Sequence, residues 1–450
     1  LVEFPRPILG EFARLYLELP AQVLLTSMQS HQKSFGIKGA DGNLLPFFLT
    51  TLNIEPTDMA IVKKGWERVL KARLEDARFF WEADLDTRFD EWLGKLDSVV
   101  FLGPLGSMGD KSRRLEVLCA KLAEACGLPV ADMARAGRLA KADLMSELVY
   151  EFDCLQGVIG GIYARKKGES ELVAQAIAEQ YLPAGPDSPV PATLSGALLA
   201  IADKADTMAG CFGLGMIPTG AADPYALRRA ALGISRIIME HGLMLKLDEL
   251  LAWAQEGYEK AEGLAGVKWK LAPAEARAKM LDFFGQRLRA LFASGEGDSR
   301  VADAALGAGF ADIHTLKLRF DALATFSRQT DFEQSVLTFK RAANIIRKQG
   351  AEADAALTVT INDALLETDE ERVLAAALRE SAGRFEELWA ASDFAGLFAM
   401  LEELRPSVDA FFDKVMVMAE DPALRQNRLN MLYALVERLG RLADFSALQV

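Results

Sequence analysis

Apolar residues recur at the spacing of amphipathic α-helices along most of the chain, and the beginning of the chain is the exception. Residues 1–57 alternate apolar and polar positions around turn residues at 39–42, and residues 44–54 (LLPFFLTTLNI) have the composition of a β-strand. From Asp58 onward, almost every long segment repeats its apolar residues with helical period. The pattern predicts a mainly α, multidomain helical protein with a short α/β segment at its N-terminus.

Capping residues and prolines indicate where several helices begin. Asp58 precedes the first long helical pattern, Asp223 precedes Pro224 and the run YALRRAALGISRIIME, and Asp421-Pro422 precedes the last one. An aspartate side chain caps the first amide groups of a helix, and proline is tolerated at the first helical position. We therefore predict helices that start directly after these aspartates. The proline-rich residues 182–194 (LPAGPDSPVPATL) cannot be helical and form a rigid connector.

Composition narrows the class of protein. The chain has 450 residues, of which 51% are hydrophobic and 26% charged, so it is too long for one core and too apolar to be disordered. Because there is no long apolar run and no N-terminal signal pattern, we expect a cytoplasmic protein with no membrane partner. Its start at Leu1 rather than Met suggests a piece of a longer protein. Four cysteines without C-x-x-C spacing predict reduced thiols on buried helix faces.

The most regular helical pattern lies in residues 326–450. One apolar stripe consists of Phe332, Val336, Phe339, Ala343 and Ile346. The side of the helix that this stripe leaves to solvent carries Lys340, Arg341, Asn344, Arg347 and Lys348. Arg425 and Arg428 lie one turn apart near the start of the last helix. These two sets are the candidate binding residues.

Catalytic motifs are missing from the sequence. It contains three histidines, His31, His241 and His314, and no HExxH, P-loop, G-x-S-x-G or dinucleotide-binding glycine motif. Zinc proteolysis, P-loop hydrolysis of nucleotides, serine hydrolysis and hydride transfer therefore each lack their signature. His31 lies beside a predicted strand, where a structural role is more common than a catalytic one. We predict no catalytic residue and no metal ligand in this chain.

The part of the sequence that most resembles a metal site consists of two acidic segments, AKADLMSEL and AIADKADTM. Their surroundings resemble the helical HD phosphohydrolase fold, in which a His-Asp pair and a later aspartate bind a metal that activates water. Asp143 and Asp203 correspond to these acids, but Ala142 replaces the histidine of the pair and Gln180 offers an amide in place of an imidazole. Without imidazole ligands the site is poorly suited to a transition metal. We predict an HD-like scaffold without its chemistry, and a divergent HD phosphohydrolase acting on nucleotides remains the alternative.

Seven segments occur in the order typical of one family. They are MQSHQKSF, KARLEDARFF, KADLMSELVYEFDCLQGVIGGIYA, IADKADTMAGCFGLGMIPTG, DPYALRRAALG, FKRAANI and FFDKVMVMAEDPALRQNRL. Together they resemble the beta subunits of bacterial heterotetrameric glycyl-tRNA synthetases over the whole chain. Each segment alone is a modest signal, but seven in order are specific. The resemblance implies that the N-terminal part of such a subunit is missing from this sequence.

The resemblance implies four domains. They are the end of an α/β editing-like domain at 1–57, an HD-like helical domain at 58–245, a helical body or linker domain at 246–325, and a helical anticodon-binding domain at 326–450. It also implies a subunit of an aminoacyl-tRNA synthetase that binds tRNA(Gly) and joins an alpha subunit in an alpha2beta2 assembly. In such an assembly the alpha subunit uses ATP and Mg, so no cofactor is expected on this chain. A pure assembly scaffold that does not touch RNA is a further alternative.

The net charge weighs against RNA binding unless basic residues are clustered. The chain carries a net charge of −13, and residues 331–450 have 13 Lys and Arg against 21 Asp and Glu. A specific complex needs only a local basic face, because net charge acts mainly on long-range steering. The predicted tRNA-binding residues are Lys340, Arg341, Asn344, Arg347, Arg425, Asn427 and Arg428. The alternative for Asn427 and Arg428 is that they cap helices and pair with acids such as Asp413 or Glu420.

Overall fold

The computed structural model confirms the mainly α fold. It describes residues 2–220, 222–261, 266–294, 298–352 and 357–448, and at residues 31 and 349–352 it describes the backbone alone. The strands are β1 (Arg6–Glu11), β2 (Phe35–Lys38) and β3 (Leu44–Leu52). The helices are α1 (Ala21–Gln32), α2 (Met59–Asp86), α3 (Phe89–Lys95), α4 (Met108–Cys126), α5 (Val130–Leu139), α6 (Glu147–Glu151), α7 (Val158–Lys166), α8 (Glu171–Glu179), α9 (Leu194–Gly213), α10 (Leu227–His241), α11 (Leu247–Glu259), α12 (Pro273–Ala293), α13 (Ser299–Gly307), α14 (Ile313–Phe326), α15 (Phe332–Glu352), α16 (Asp369–Ala390), α17 (Phe394–Lys414) and α18 (Pro422–Leu442).

The predicted N-terminal strand belongs to a small antiparallel sheet. Its strand order is β1-β3-β2, and Gly10 of β1 lies opposite Phe48 of β3. Alternate side chains of the sheet point inward, so Ile8, Phe48 and Thr50 are buried. A Cβ atom on Gly10 would come within 2.2 Å of the Phe48 ring, which explains why this position has no side chain.

The chain divides into two compact units. One comprises residues 1–216 and 253–271, and the other comprises residues 217–252 and 272–450. The division into two units does not test the domain boundaries predicted after residues 57, 245 and 325, so these boundaries stay a prediction.

In the first unit, α9 is the central helix. Its sequence is apolar on nearly every side, and each residue from Ser195 to Ala202 is buried. Around it α4, α5 and α8 pack, and α7 packs on α8. Helix α2 is held to this unit through its buried Asp84. The Asp84 side chain accepts hydrogen bonds from the amides of Glu147 and Leu148 and from the Tyr163 hydroxyl, at 2.9, 3.1 and 2.7 Å.

In the second unit, α15 to α18 form the C-terminal helical bundle, in which α16 packs on α17 and α15 on α18. The last helix begins as predicted, because the Asp421 side chain accepts a hydrogen bond from the Ala423 amide at 2.7 Å and Pro422 is the first helical residue. Asp58 caps α2 in the same way, through the Ala60 and Ile61 amides. Two of the three predicted helix starts are therefore confirmed.

The predicted start of α10 is wrong by three residues. The helix begins at Leu227 rather than at Pro224, because Ala226 has a φ of 56° and interrupts the helical path. Asp223 still caps it, since its two carboxylate oxygens accept hydrogen bonds from the amides of Leu227 and Arg228 at 2.8 and 3.0 Å. Asp223 therefore satisfies the first helical amides as predicted, but the residue at the N-cap position is Ala226.

The four cysteines are reduced thiols. Cys119 and Cys211 are buried as predicted, whereas Cys126 is half-buried and Cys154 is exposed. Among the helices that the structure describes, none combines the length and the apolar character needed to cross a membrane.

Candidate functional site

Most of the predicted polar side of α15 lines a groove. The helix buries Val336, Phe339 and Ala342, so its apolar stripe includes Ala342 where the sequence pattern indicated Ala343. The groove has a volume of about 440 Å³. Its lining residues are Leu337, Lys340, Arg341, Asn344, Ile345, Lys348, Val417 and Met418. Tertiary packing thus places the loop after α17 against the basic side of α15.

Hydrogen bonds and stacking hold several of these polar side chains in place. The Arg341 guanidinium lies 4.3 Å from the centre of the Phe412 ring of α17, a cation–π distance. Arg347 donates a hydrogen bond to Asn344 Oδ1 at 2.8 Å, and Lys340 donates one to the Leu448 carbonyl oxygen at 3.2 Å. Arg341, Arg347 and Lys348 are exposed. We call the residues Lys340, Arg341, Asn344, Arg347 and Lys348 the α15 face.

Arg425 lies beside the same groove. It is half-buried near the start of α18, and its Nη1 donates a hydrogen bond to the Ala419 carbonyl oxygen at 3.2 Å. Ala419 follows Met418, which lines the groove. The structure therefore brings Arg425 close to the loop that faces the α15 face.

The prediction for Asn427 and Arg428 needs correction, because both side chains are buried and serve the fold. Asn427 is 3% exposed, and its amide group accepts a hydrogen bond from the Asn362 amide and donates one to the Asn362 carbonyl, at 2.8 and 3.0 Å. Arg428 is 7% exposed and donates to Glu371 Oε1 at 2.5 Å and to Glu367 Oε2 at 3.1 Å. We therefore remove both residues from the candidate RNA-binding set.

Glu371 is the central partner of Arg428. It is fully buried at the start of α16, where the Glu367 and Thr368 amides donate to its Oε2 at 2.7 and 2.8 Å. Burial alone would raise the pKa of Glu371, but the hydrogen bonds from Arg428 and these amides outweigh burial and lower it. The structural role that the sequence left open for Arg428 is correct, but its partners are Glu367 and Glu371 rather than Asp413 or Glu420.

The core that the sequence predicts to be HD-like contains ammonium groups beside its aspartates. Lys141 Nζ lies 3.0 Å from Asp203 Oδ1, and it donates hydrogen bonds to Gln180 Oε1 and to the Tyr181 hydroxyl at 2.8 and 3.1 Å. Lys111 Nζ lies 3.1 Å from the same Asp203 oxygen. Both lysines are 2% exposed. Two cations therefore already neutralise the carboxylate that a metal would need.

The pKa values of the two aspartates of this core are shifted in opposite directions. Burial raises the pKa of Asp143 to about 6, although the Gly157 amide donates a hydrogen bond to its Oδ2 at 2.5 Å. Burial would also raise the pKa of Asp203, but the nearby charges of Lys111 and Lys141 hold it well below its usual range. In the described parts of the chain, no three His, Cys, Asp or Glu side chains come together as a metal-binding cluster. The side chains present do not fit a divalent metal.

Sequence reasoning missed Lys111 and Lys141. Lys111 also donates to Asp206 Oδ2 at 3.2 Å, a contact between residues 95 positions apart. Nothing in its local sequence distinguishes it from an exposed lysine, so only the packing of α4 against α9 reveals its role. The side chain of His31 lies outside the residues that the structure describes, so the interpretation of that histidine stays a prediction.

Comparison with known proteins identifies two matching families. Residues 1–307 match the model of the glycyl-tRNA synthetase beta subunit, and residues 336–443 match the DALR anticodon binding domain. All of the α15 face and Arg425 fall within the second match.

Curated relatives match over the whole chain. The glycine–tRNA ligase beta subunit of Nitratidesulfovibrio vulgaris (strain DSM 19637 / Miyazaki F) is 63% identical over 460 residues, covering 100% of this chain and 64% of the relative. That of Oleidesulfovibrio alaskensis is 61% identical over 100% of this chain and 64% of the relative, and that of Myxococcus xanthus is 39% identical over 100% and 63%. The chain thus spans about 64% of the length of these relatives. It belongs to the family of the glycyl-tRNA synthetase beta subunit.

Proposed function

We propose that this chain is the tRNA-binding, non-catalytic part of a glycine–tRNA ligase beta subunit. It recognises tRNA(Gly) and positions it for ATP-dependent glycylation by an alpha subunit, within an alpha2beta2 assembly in the cytoplasm. ATP and Mg are used by the alpha subunit, and this chain binds no cofactor of its own. The family match supports this assignment, and the α15 face is the observation that carries the RNA-binding role.

The α15 face has the features of a surface for single-stranded RNA. Four of its five residues are Lys or Arg, although residues 331–450 carry 21 acidic against 13 basic residues. The groove beside it also has exposed apolar atoms, since Leu337 is 53% and Met418 42% exposed. Unpaired bases are held by apolar or planar contacts and hydrogen bonds, while Lys and Arg bind the flanking phosphates. A groove that combines both fits an anticodon loop better than a duplex.

The chemical contribution of such a subunit is positioning. A tRNA held at its anticodon has its acceptor end oriented toward the site where the amino acid is activated, which turns an encounter between separate molecules into one within a complex. Arg341 and Arg347 are already held in place by Phe412 and Asn344, so binding RNA costs them less side-chain entropy.

Charge reversal on the α15 face tests the proposal. Binding of tRNA and glycylation by purified alpha subunit are both measured with the full-length beta subunit, either unchanged or carrying Arg341→Glu or Lys348→Glu. We expect each reversal to weaken tRNA binding about tenfold or more, because an attraction for phosphate becomes a repulsion. Arg384→Glu is the matched control, since Arg384 is an exposed arginine on α16 that pairs with Glu403 and does not line the groove.

The outcome separates the alternatives. Unchanged tRNA binding in both α15 variants contradicts the RNA-binding role and favours a pure assembly scaffold. If the alpha subunit glycylates tRNA equally well without the beta subunit, the proposal fails altogether. The phosphohydrolase alternative predicts a bound metal, whereas the Lys141–Asp203 and Lys111–Asp203 ion pairs argue against it. Stoichiometric metal in the purified chain would overturn this argument.

A further inference from the structure

Arg319, on α14, is a buried arginine that binds the ends of two other helices. It is 4% exposed. Its Nη1 donates hydrogen bonds to the carbonyl oxygens of Leu442, Ala305 and Arg441 at 2.9, 3.2 and 3.4 Å, and its Nη2 donates one to the Gly309 carbonyl. Arg319 lies in residues 308–335, outside the stretches that the two family models match. Its role is therefore not part of either match.

These carbonyl groups lie at the C-terminal ends of α13 and α18. The last carbonyls of a helix lack partners within the helix, and the helix dipole places partial negative charge there. A single guanidinium thus satisfies both helix ends and is itself stabilised by both. Burial lowers the pKa of Arg319 to about 10, so it keeps its charge at neutral pH.

Further contacts connect the ends of α13 and α18 to α15, which carries the α15 face. The Asp444 amide, just after α18, donates a hydrogen bond to the Ala304 carbonyl of α13 at 2.8 Å. A Cβ atom on Gly307 would come within 2.7 Å of the Asp444 Cβ, so the close approach of α13 requires this glycine. One residue further, the Phe445 ring packs edge-on against Phe339 of α15 with centroids 5.7 Å apart. Residues 443–448 therefore join α13 to the helix that carries the α15 face.

We propose that Arg319 is a positioning residue for tRNA. Arg319 holds the ends of α13 and α18 together, and we call this contact the joint. The joint fixes the direction of the α15 face relative to helices α12 to α14. This inference rests on the proposed function, because a fixed direction matters only if the α15 face holds tRNA. A loosened joint then leaves tRNA bound but presents its acceptor end correctly in a smaller fraction of complexes.

The first experiment measures the joint without tRNA. Spin labels are placed on cysteines introduced at the exposed positions Ala278 of α12 and Ala376 of α16, after Cys126 and Cys154 are replaced by serine. We expect Arg319→Met to broaden the distance distribution between the labels and Arg319→Lys to broaden it less. Arg289→Met is the matched control, because Arg289 is an exposed arginine that joins α12 to α13 through Asp303 and donates to Asp303 Oδ2 at 2.7 Å. A distribution unchanged in Arg319→Met overturns the proposal.

The second experiment measures glycylation by the alpha subunit with the full-length beta subunit. We expect Arg319→Met to lower kcat at least fivefold while the KM for tRNA changes less than twofold, with partial rescue in Arg319→Lys. A rise in KM with unchanged kcat contradicts the positioning role. If Arg319→Met does not fold, Gly307→Ala tests the same joint, because its Cβ displaces Asp444. If the wild-type beta subunit does not bind tRNA, the proposed function is refuted. The label distances then still report whether Arg319 holds α13 and α18 together.

Discussion

The buried Arg428–Glu371 ion pair offers the sharpest test of how the C-terminal bundle is held together. Replacing Arg428 by methionine keeps the side-chain volume near α16 but removes the 2.5 Å hydrogen bond to a carboxylate that is 0% exposed. It also removes the bonds to Glu367 Oε2 and to the Met416 carbonyl, at 3.1 and 3.0 Å. Breaking a buried pair on one side typically costs about 3–5 kcal/mol, because the remaining charge is left uncompensated.

The double variant Arg428→Met/Glu371→Gln isolates the pair. Because the second substitution removes the stranded charge, we expect the double variant to be less destabilised than the sum of the two single variants by about 1–3 kcal/mol. Glu371 has a lowered pKa, so its contribution is present at neutral pH and is lost as the pH falls through that pKa. The cost of Arg428→Met is therefore greatest near pH 7 and decreases in acid.

Native-state hydrogen exchange of α16 and α18 amides measures the local opening free energy in each variant. Binding of tRNA is measured in parallel, at a temperature where the variant remains folded. We expect Arg428→Met to open more easily and to bind tRNA with unchanged affinity. A cost below about 1 kcal/mol, or weaker tRNA binding with unchanged exchange, would refute the structural role assigned to Arg428.

Three further outcomes follow from the same structure. Asp143→Asn should stabilise the chain above pH 6 by roughly 3 kcal/mol at most. The raised pKa of Asp143 favours folding in acid, and that advantage disappears as the pH rises through about 6. The free energy of unfolding at pH 5 and pH 8 checks this, and an equal effect of the substitution at both pH values contradicts it. Lys141→Met should cost about 3–5 kcal/mol, because Asp203 loses one of its two cations and Gln180 Oε1 loses a donor. Lys121→Met, at a half-buried pair with Glu256, should cost about 1 kcal/mol or less in the same thermal assay. Binding of tRNA should weaken linearly in a plot of log affinity against log salt, and Arg341→Glu should reduce the slope by about 0.7 or more; an unchanged slope would show that Arg341 meets no phosphate.

Local rules predicted much of the architecture. Helical periodicity identified the mainly α class, and the aspartate caps at Asp58 and Asp421 marked helix starts that the structure confirms. The period of α15 placed Lys340, Arg341, Asn344, Arg347 and Lys348 on one side, four of which line the groove. These features depend on residues within one or two turns of each other, and the sequence contains all the information they need.

Distant contacts decided the rest. Arg341 and Arg428 are indistinguishable as basic residues on amphipathic helices, yet Arg341 is exposed, whereas Arg428 is buried against Glu371, 57 positions away. Likewise, Lys111, Lys141 and Arg319 carry no local mark that separates them from surface cations. Their roles arise from partners that only folding brings near, such as Asp203 and the ends of α13 and α18. The sequence alone determined which helices form and which side of each is polar. The tertiary structure decided which charges are buried in ion pairs and which remain exposed, because burial depends on what packs against each side.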